Sequence, residues 1–199
     1  MGKVYSDLSV SADGFAAGLN QREEKPFGDI DDSWLHAWMF ETSEENRGEV
    51  DAIVDSGATI MGRNMFGPVR GEWDRDWRGW WGEEPPYHNQ VFVLTHFTHA
   101  PIEMEGGTTF HFVTDGIRSA LDLARATAGD RDISIAGGAT TVNQYLAAGL
   151  IDELRLHVTA CILGAGERVF DGVPAQRLER VSVRAASLVT HLTYRPVRA

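Results

Sequence analysis

Residues 131–170 read RDISIAGGATTVNQYLAAGLIDELRLHVTACILGAGERVF. The apolar run Ile133, Ile135, Ala136 stops at Gly137-Gly138, and a helical pattern follows with Val142, Leu146 and Gly149 on one side. From 153 to 162 the chain then alternates strictly. Leu154, Leu156, Val158, Ala160 and Ile162 point one way, and Glu153, Arg155, His157, Thr159 and Cys161 the other. The order is strand, glycine turn, helix, strand. Two glycines between a strand and a helix let a ligand approach the backbone with no Cβ in the way. The helix start offers free N–H groups and a positive dipole end to an anion. A pyrophosphate fits that description.

Outward from this stretch the same two periods recur. Residues 3–11 alternate as a first strand, and Ala12-Asp13-Gly14 is a turn signal. Asp31 or Asp32 is positioned to cap a helix carrying Trp34, Leu35, Trp38 and Met39. A second helical piece covers 45–56 and leads into the strand ATIMGR. VFVLT (91–95) and TTFHFV (108–113) read as strands, and 116–128 as an amphipathic helix with Asp115 at its N-cap. Residues 179–186 and 189–195 pair as a C-terminal hairpin. Strands alternating with helices, then strands alone, predict an α/β layered fold. Its central sheet is mostly parallel, with antiparallel C-terminal strands. Ligands bind such sheets at the carboxyl ends of the strands. The loops expected there are Asp13-Gly14, Gly62-Arg63-Asn64 and Gly137-Gly138.

The chain has 199 residues, which predicts one domain over 1–199. Its formal net charge is −11, and no Lys/Arg run stands out, which argues against nucleic acid or an anionic membrane as partner. No apolar run is long enough for a signal peptide or a membrane span, so the cytoplasm is the expected location. The single cysteine, Cys161, allows no intrachain disulfide; its mid-strand position reads as a packed thiol. No metal site is expected.

The segments SVSADGF (9–15), TIMGRNMF (59–66), VFVLTH (91–96), IAGGATTVNQYLAAGLIDEL (135–154) and LGAGERVF (163–170) occur in an order that resembles the dihydrofolate reductase-like fold, a three-layer α/β architecture. More closely they resemble the reductase domain of the bifunctional riboflavin-biosynthesis deaminase–reductase and its stand-alone relatives. WRGWWGEEPPYH (77–88) is similar to a subgroup of the latter. The resemblance implies a homodimer that binds NADPH and delivers hydride to a C=N or C=O of a small polar heterocycle or sugar-like substrate, as 5-amino-6-(5-phosphoribosylamino)uracil reductase does. It implies that Gly62, Arg63 and Asn64 lie by the cofactor phosphates, and Thr95 and His96 by the adenosine end. Gly137, Gly138, Ala139, Thr140 and Thr141 would cradle the pyrophosphate. The two glycines are joined by a cis peptide in dihydrofolate reductases.

The run LTHFTHAP puts His96 and His99 where relatives often carry a permanent cation, which leaves NADH open beside NADPH. With Cys161 alone no CxxC motif is possible, so the deaminase domain and its zinc ligands are not expected here.

For the substrate side the resemblance implies Asp13 near the nicotinamide and Glu153 in the substrate pocket. Asp13, Glu153 or an ordered water are the candidate proton sources. Asp32, Trp34 and Trp81 are the candidate substrate contacts, an indole being suited to stacking on a flat heterocycle. His157, on the face of Glu153, reads as a satisfied histidine ahead of the alternative, a proton donor. Trp73, Trp77, Trp80 and Trp81 sit in a Gly/Pro-rich loop and read either as a lid or as a dimer contact. The alternative to a reductase is a non-catalytic nucleotide- or small-molecule-binding protein on the same fold.

Overall fold

The computed structural model describes residues 2–197. The elements run β1 (Val4–Ser11), α1 (Ser33–Phe40), α2 (Arg47–Val54), β2 (Ala58–Gly62), α3 (Arg63–Phe66), β3 (Gln90–Leu94), β4 (Ile102–Glu103), β5 (Thr109–Val113), α4 (Gly116–Ala128), β6 (Ile133–Gly137), α5 (Ala139–Ala147), β7 (Glu153–Thr159), β8 (Leu178–Ala185) and β9 (Val189–Pro196). All described strands join one sheet in the order β4-β5-β3-β2-β6-β1-β7-β9-β8. The ladders from β5 through β7 are parallel; β4, β9 and β8 join antiparallel. This is the expected α/β sheet with antiparallel C-terminal strands.

The alternation along β1 explains the layers. Val4, Leu8 and Val10 join one buried cluster with Leu121 and Ala124 of α4 and Val142, Tyr145 and Leu146 of α5. The intervening residues face α1 and α2: the Tyr5 hydroxyl donates to the Ala52 carbonyl, and the Trp38 indole N–H donates to Ser9 Oγ at 3.0 Å. Trp38 is fully buried, because α1 lays Leu35 and Trp38 against the sheet.

A second buried cluster holds Phe66, Tyr87, Val91, Val93 and Phe110, and Trp73, Trp77 and Trp81 pack against it. The Trp73 and Trp77 N–H groups donate to the Phe97 and Phe66 carbonyls. A Cβ on Gly67 would meet Trp77 Nε1 at 2.3 Å, so glycine is what admits that indole. The aromatic loop is thus a folded extension of the core.

Several local expectations are corrected. Asp31 Oδ1, not Asp32, accepts the Ser33 N–H; Asp32 makes no side-chain cap bond. Asp115 does occupy the N-cap of α4, as expected, but makes no side-chain cap bond. β7 ends at Thr159, so Cys161 and Ile162 lie beyond it, and Cys161 is a half-exposed loop residue. There the chain turns away: the Cys161 carbonyl accepts the Ala12 N–H, and Ile162 is 74% exposed. Among the described residues no helix is long and apolar enough to cross a membrane.

Candidate active site

Parallel strands bring their carboxyl ends to one side, and there the sheet opens into a cleft of about 810 Å³. One arm is lined by Gly62, Arg63, Asn64, Thr95, His96, Gly138, Ala139, Thr140 and Thr141. The other is lined by Asp7, Ser9, Phe27, Asp32, His36, Trp80, Trp81, Tyr87 and His157. Gly137, expected in the cradle, is not among the residues that line the cleft; its missing Cβ faces Met65 Sδ of α3 at 3.3 Å.

The glycine pair is shaped by its neighbours. The β2–β6 ladder slips between Ile60 and Met61, so that Met61 pairs with Gly137. Gly137 has φ 132°, a conformation open to glycine, and the Gly137–Gly138 peptide is cis. A Cβ on Gly138 would meet open space, and Gly138 caps α5 without a side-chain bond. The Thr141 and Val142 N–H groups donate to the Gly138 carbonyl, and the start of that nine-residue helix, Ala139 to Thr141, borders the cleft. Gly62 approaches from β2 so closely that a Cβ there would meet Thr141 Oγ1 at 2.3 Å. The Thr140 hydroxyl donates to Glu167, whose carboxylate also borders the cleft.

Arg63 is the principal cation of this arm. Its guanidinium lies 3.8 Å from the centre of the Trp73 ring, and Nη1 donates to Thr95 Oγ1 at 3.2 Å. Nε and Nη2 are buried with no partner. Burial, then the like charge of Arg70, pulls its pKa below the ordinary arginine value. A guanidinium held desolvated with free donors is built to receive an anion. His96 is exposed at the cleft edge; His99 is turned onto Trp73 and Phe112 instead.

The substrate-side expectations divide. Asp32 and Trp81 border the cleft, whereas Trp34 is 53% exposed on the outer side of α1 and does not reach it. His36 takes that place on the cleft side, packed on Phe27 and kept below its ordinary pKa by burial.

Neither carboxylate expected to move a proton is free to do so. Asp13 accepts from the Ser11 hydroxyl at 2.6 Å and from the N–H groups of Leu163 and Gly164. The Ser11 hydrogen bond leads in holding its pKa at about 2. Glu153 lies at the amino end of β7, paired with Tyr5 near the start of β1, on the side of the sheet away from the glycine turns. There it binds Arg155 and Lys3. Burial works to raise its pKa, but those partners outweigh it and hold the carboxyl low.

Asp7, given no role from the sequence, and His157, read there as a satisfied histidine, both reach the cleft. Asp7 and His157 line it together, with His157 Nε2 3.2 Å from Asp7 Oδ1. The signal was a row of polar residues (Tyr5, Asp7, Ser9) on a strand buried on both faces.

The model of a family described as the RibD C-terminal domain matches residues 2–192. An uncharacterized protein of Bacillus subtilis, YyaP, is 24% identical over 196 residues, spanning 93% of this chain and 89% of its own. The crystal structure of a putative riboflavin biosynthesis protein from Shewanella sp. PV-4 superposes with a TM-score of 0.63 at 22% identity, covering 98% of this chain and 99% of that one. Dihydrofolate reductase from Enterococcus faecalis, solved with NADP(H), gives a TM-score of 0.57 at 15% identity, covering 98% and 96%.

Proposed function

The chain belongs to the RibD C-terminal domain family, and from that premise we propose that it is an NADPH-dependent reductase acting on a small polar heterocycle or sugar-like molecule. The observation that carries the reading is the pairing of the open glycine cradle at Gly138 with the Arg63 guanidinium, whose Nε and Nη2 have no partner, in one cleft. A dinucleotide phosphate needs both an N–H-lined turn and a desolvated cation. Gly138, Ala139 and Thr140 are assigned to the pyrophosphate, and Arg63 with Asn64 to a further phosphate. Trp73 and Thr95 position Arg63. When bound, NADPH supplies hydride to a C=N or C=O of the acceptor.

The acceptor arm pairs flat aromatic walls with polar groups. Trp81 and Tyr87 provide surface for a planar ring, and Asp32 and His36 provide hydrogen-bonding groups at its edge. Absence of a permanent cation at His96 keeps NADH as a second candidate cofactor.

A homodimer is part of the proposal. Val181 and Val183 are exposed on the edge strand β8, while Trp73, Trp77 and Trp81 of the aromatic loop are partly buried against the second core cluster. That favours the C-terminal strands as the contact.

The test is tryptophan quenching during titration with NADPH and with NADH. Micromolar or tighter binding of NADPH, weakened about 10- to 100-fold in Arg63→Ala, supports the reading. Binding with no oxidation across candidate acceptors would favour the binding-protein alternative, and no binding of either nucleotide would sink both.

A further inference from the structure

Four strands carry one polar row through the cleft wall. Ser9 on β1 is registered with His157 on β7, His157 with His191 on β9, and His191 with Arg184 on β8. The two histidines are buried and meet at Nδ1···Nδ1, 2.7 Å.

The far end of the row fixes its protons. Asn46 Nδ2 faces only oxygens: the carbonyls of Trp38 and Thr42 and the Thr42 hydroxyl. Its Oδ1 must then be the atom that accepts from Arg184 at 2.7 Å. His191 Nε2 lies 2.9 Å from the same Oδ1, so it carries a hydrogen and donates. Burial, then the charge of His157, lowers the His191 pKa to about 4, which keeps His191 neutral near pH 7. A neutral ring with Nε2–H has a lone pair at Nδ1. The 2.7 Å contact is therefore a bond donated by His157 Nδ1–H.

That leaves His157 Nε2 facing Asp7 Oδ1 at 3.2 Å. Two lone pairs cannot meet there in a buried setting, so a hydrogen lies between them. Arg155 Nη1 donates to Asp7 Oδ2 at 3.3 Å, so both carboxylate oxygens act as acceptors and that hydrogen is placed on the imidazole. The charged or titratable groups around His157 are thus Asp7 from β1, Arg155 from β7 and His191 from β9. The Arg184–Glu49 pair stands behind His191, and α1 contributes the uncharged Trp38 ring, 4.6 Å away.

We propose that one exchangeable proton is held between His157 Nε2 and Asp7 Oδ1 in the cleft wall, and that this pair is the acid of the site, with Asn46 and His191 as positioning residues. The second half rests on the reductase reading. The acceptor carbon gains hydride from the reduced nicotinamide, and the acceptor nitrogen or oxygen gains the proton from His157 Nε2. The C=N or C=O π bond is lost, and the pair is refilled from water.

The experiment is a long-range ¹H–¹⁵N spectrum of the full-length, ¹⁵N-labelled protein between about pH 6 and 8. The expected result is one histidine with both ring nitrogens protonated and a second with only Nε2–H. In Asp7→Asn the amide can donate to the Nε2 lone pair, so His157 loses its Nε2–H signal. Turnover of 5-amino-6-(5-phosphoribosylamino)uracil with NADPH then falls about 10²- to 10⁴-fold. Retained NADPH quenching in that variant marks an intact cofactor arm. A wild-type His157 with an unprotonated Nε2 overturns the proton's placement. Undiminished turnover in Asp7→Asn overturns its role as acid. A wild type that does not turn over this acceptor sinks the reductase reading for it, and with it the delivery step, whereas the spectrum still decides where the proton sits.

Discussion

His157 and His191 stand opposite each other in the β7–β9 ladder with their Nδ1 atoms 2.7 Å apart, both nearly inaccessible to water. The arrangement accepts a proton at one ring only. His191 has a folded pKa of about 4, against an ordinary value near 6.5, with burial as the largest cause. The unfolded chain therefore binds the extra proton first. Stability from this group is complete above about pH 6.5 and is lost as pH falls toward 4. Denaturant unfolding across that range should show the loss in the wild type and a flatter profile in His191→Gln. Parallel profiles would refute it.

The two carboxylates singled out from sequence should leave the pH–rate profile alone. Glu153 is tied to Lys3 and Arg155 at the amino end of β7. Glu153→Gln is expected to cost about 1 kcal/mol of stability and to leave kcat within about twofold. Asp13 is already ionised down to about pH 2 and anchors the Leu163–Gly164 turn. Asp13→Asn should loosen that turn, seen as faster proteolysis near residue 164, without removing a limb of the profile. Loss of a limb in either variant would return the proton to that carboxylate.

These outcomes trace what a sequence can carry. Apart from the two-residue β4, the strands, α4 and the glycine turn were legible because their apolar periods are local, and the turn's glycines have few other uses. The end of the sheet on which Glu153 falls follows only from topology: β7 runs parallel to β1, so its first residue lies away from the glycine turns. Trp34 and Trp38 are four apart, yet a modest rotation of α1 buries one completely and leaves the other outside. The aromatic loop has no period, and its packing on Phe66 and Phe110 depends on contacts distant in sequence. The Asp7–His157 pair joins residues 150 positions apart, which no local pattern encodes.

Glu167 puts a negative charge beside the anion cradle. Its carboxylate accepts from the Thr140 hydroxyl at 3.1 Å, at the first turn of α5. Phosphate oxygens at Gly138–Thr140 would be repelled by it across a partly screened distance. Glu167→Gln keeps an acceptor for Thr140 and removes the charge. NADPH affinity is expected to rise about 3- to 10-fold at low salt, with the gain shrinking as salt is added. An unchanged or weaker affinity would mean that the phosphates sit elsewhere.

Gly62 and Thr141 should behave as one unit. They belong to β2 and α5, yet a Cβ on Gly62 would come within 2.3 Å of Thr141 Oγ1. Contact that short forces either the threonine rotamer or the helix start to move. The rotamer is restrained within the helix, so α5 yields and the cradle at Gly138 shifts with it. Gly62→Ala is therefore expected to weaken NADPH binding about 10-fold, equivalent to about 1.4 kcal/mol. Thr141→Ala removes the obstructing oxygen. If the obstruction is the cause, the double variant binds more tightly than Gly62→Ala alone, giving a coupling of about 1 kcal/mol in a double-mutant cycle read by tryptophan quenching. Thr141→Ser retains the oxygen and should recover less of the loss than alanine. Additive effects would instead mean that Gly62 serves the site by its own backbone approach to the ligand and not by making room for α5.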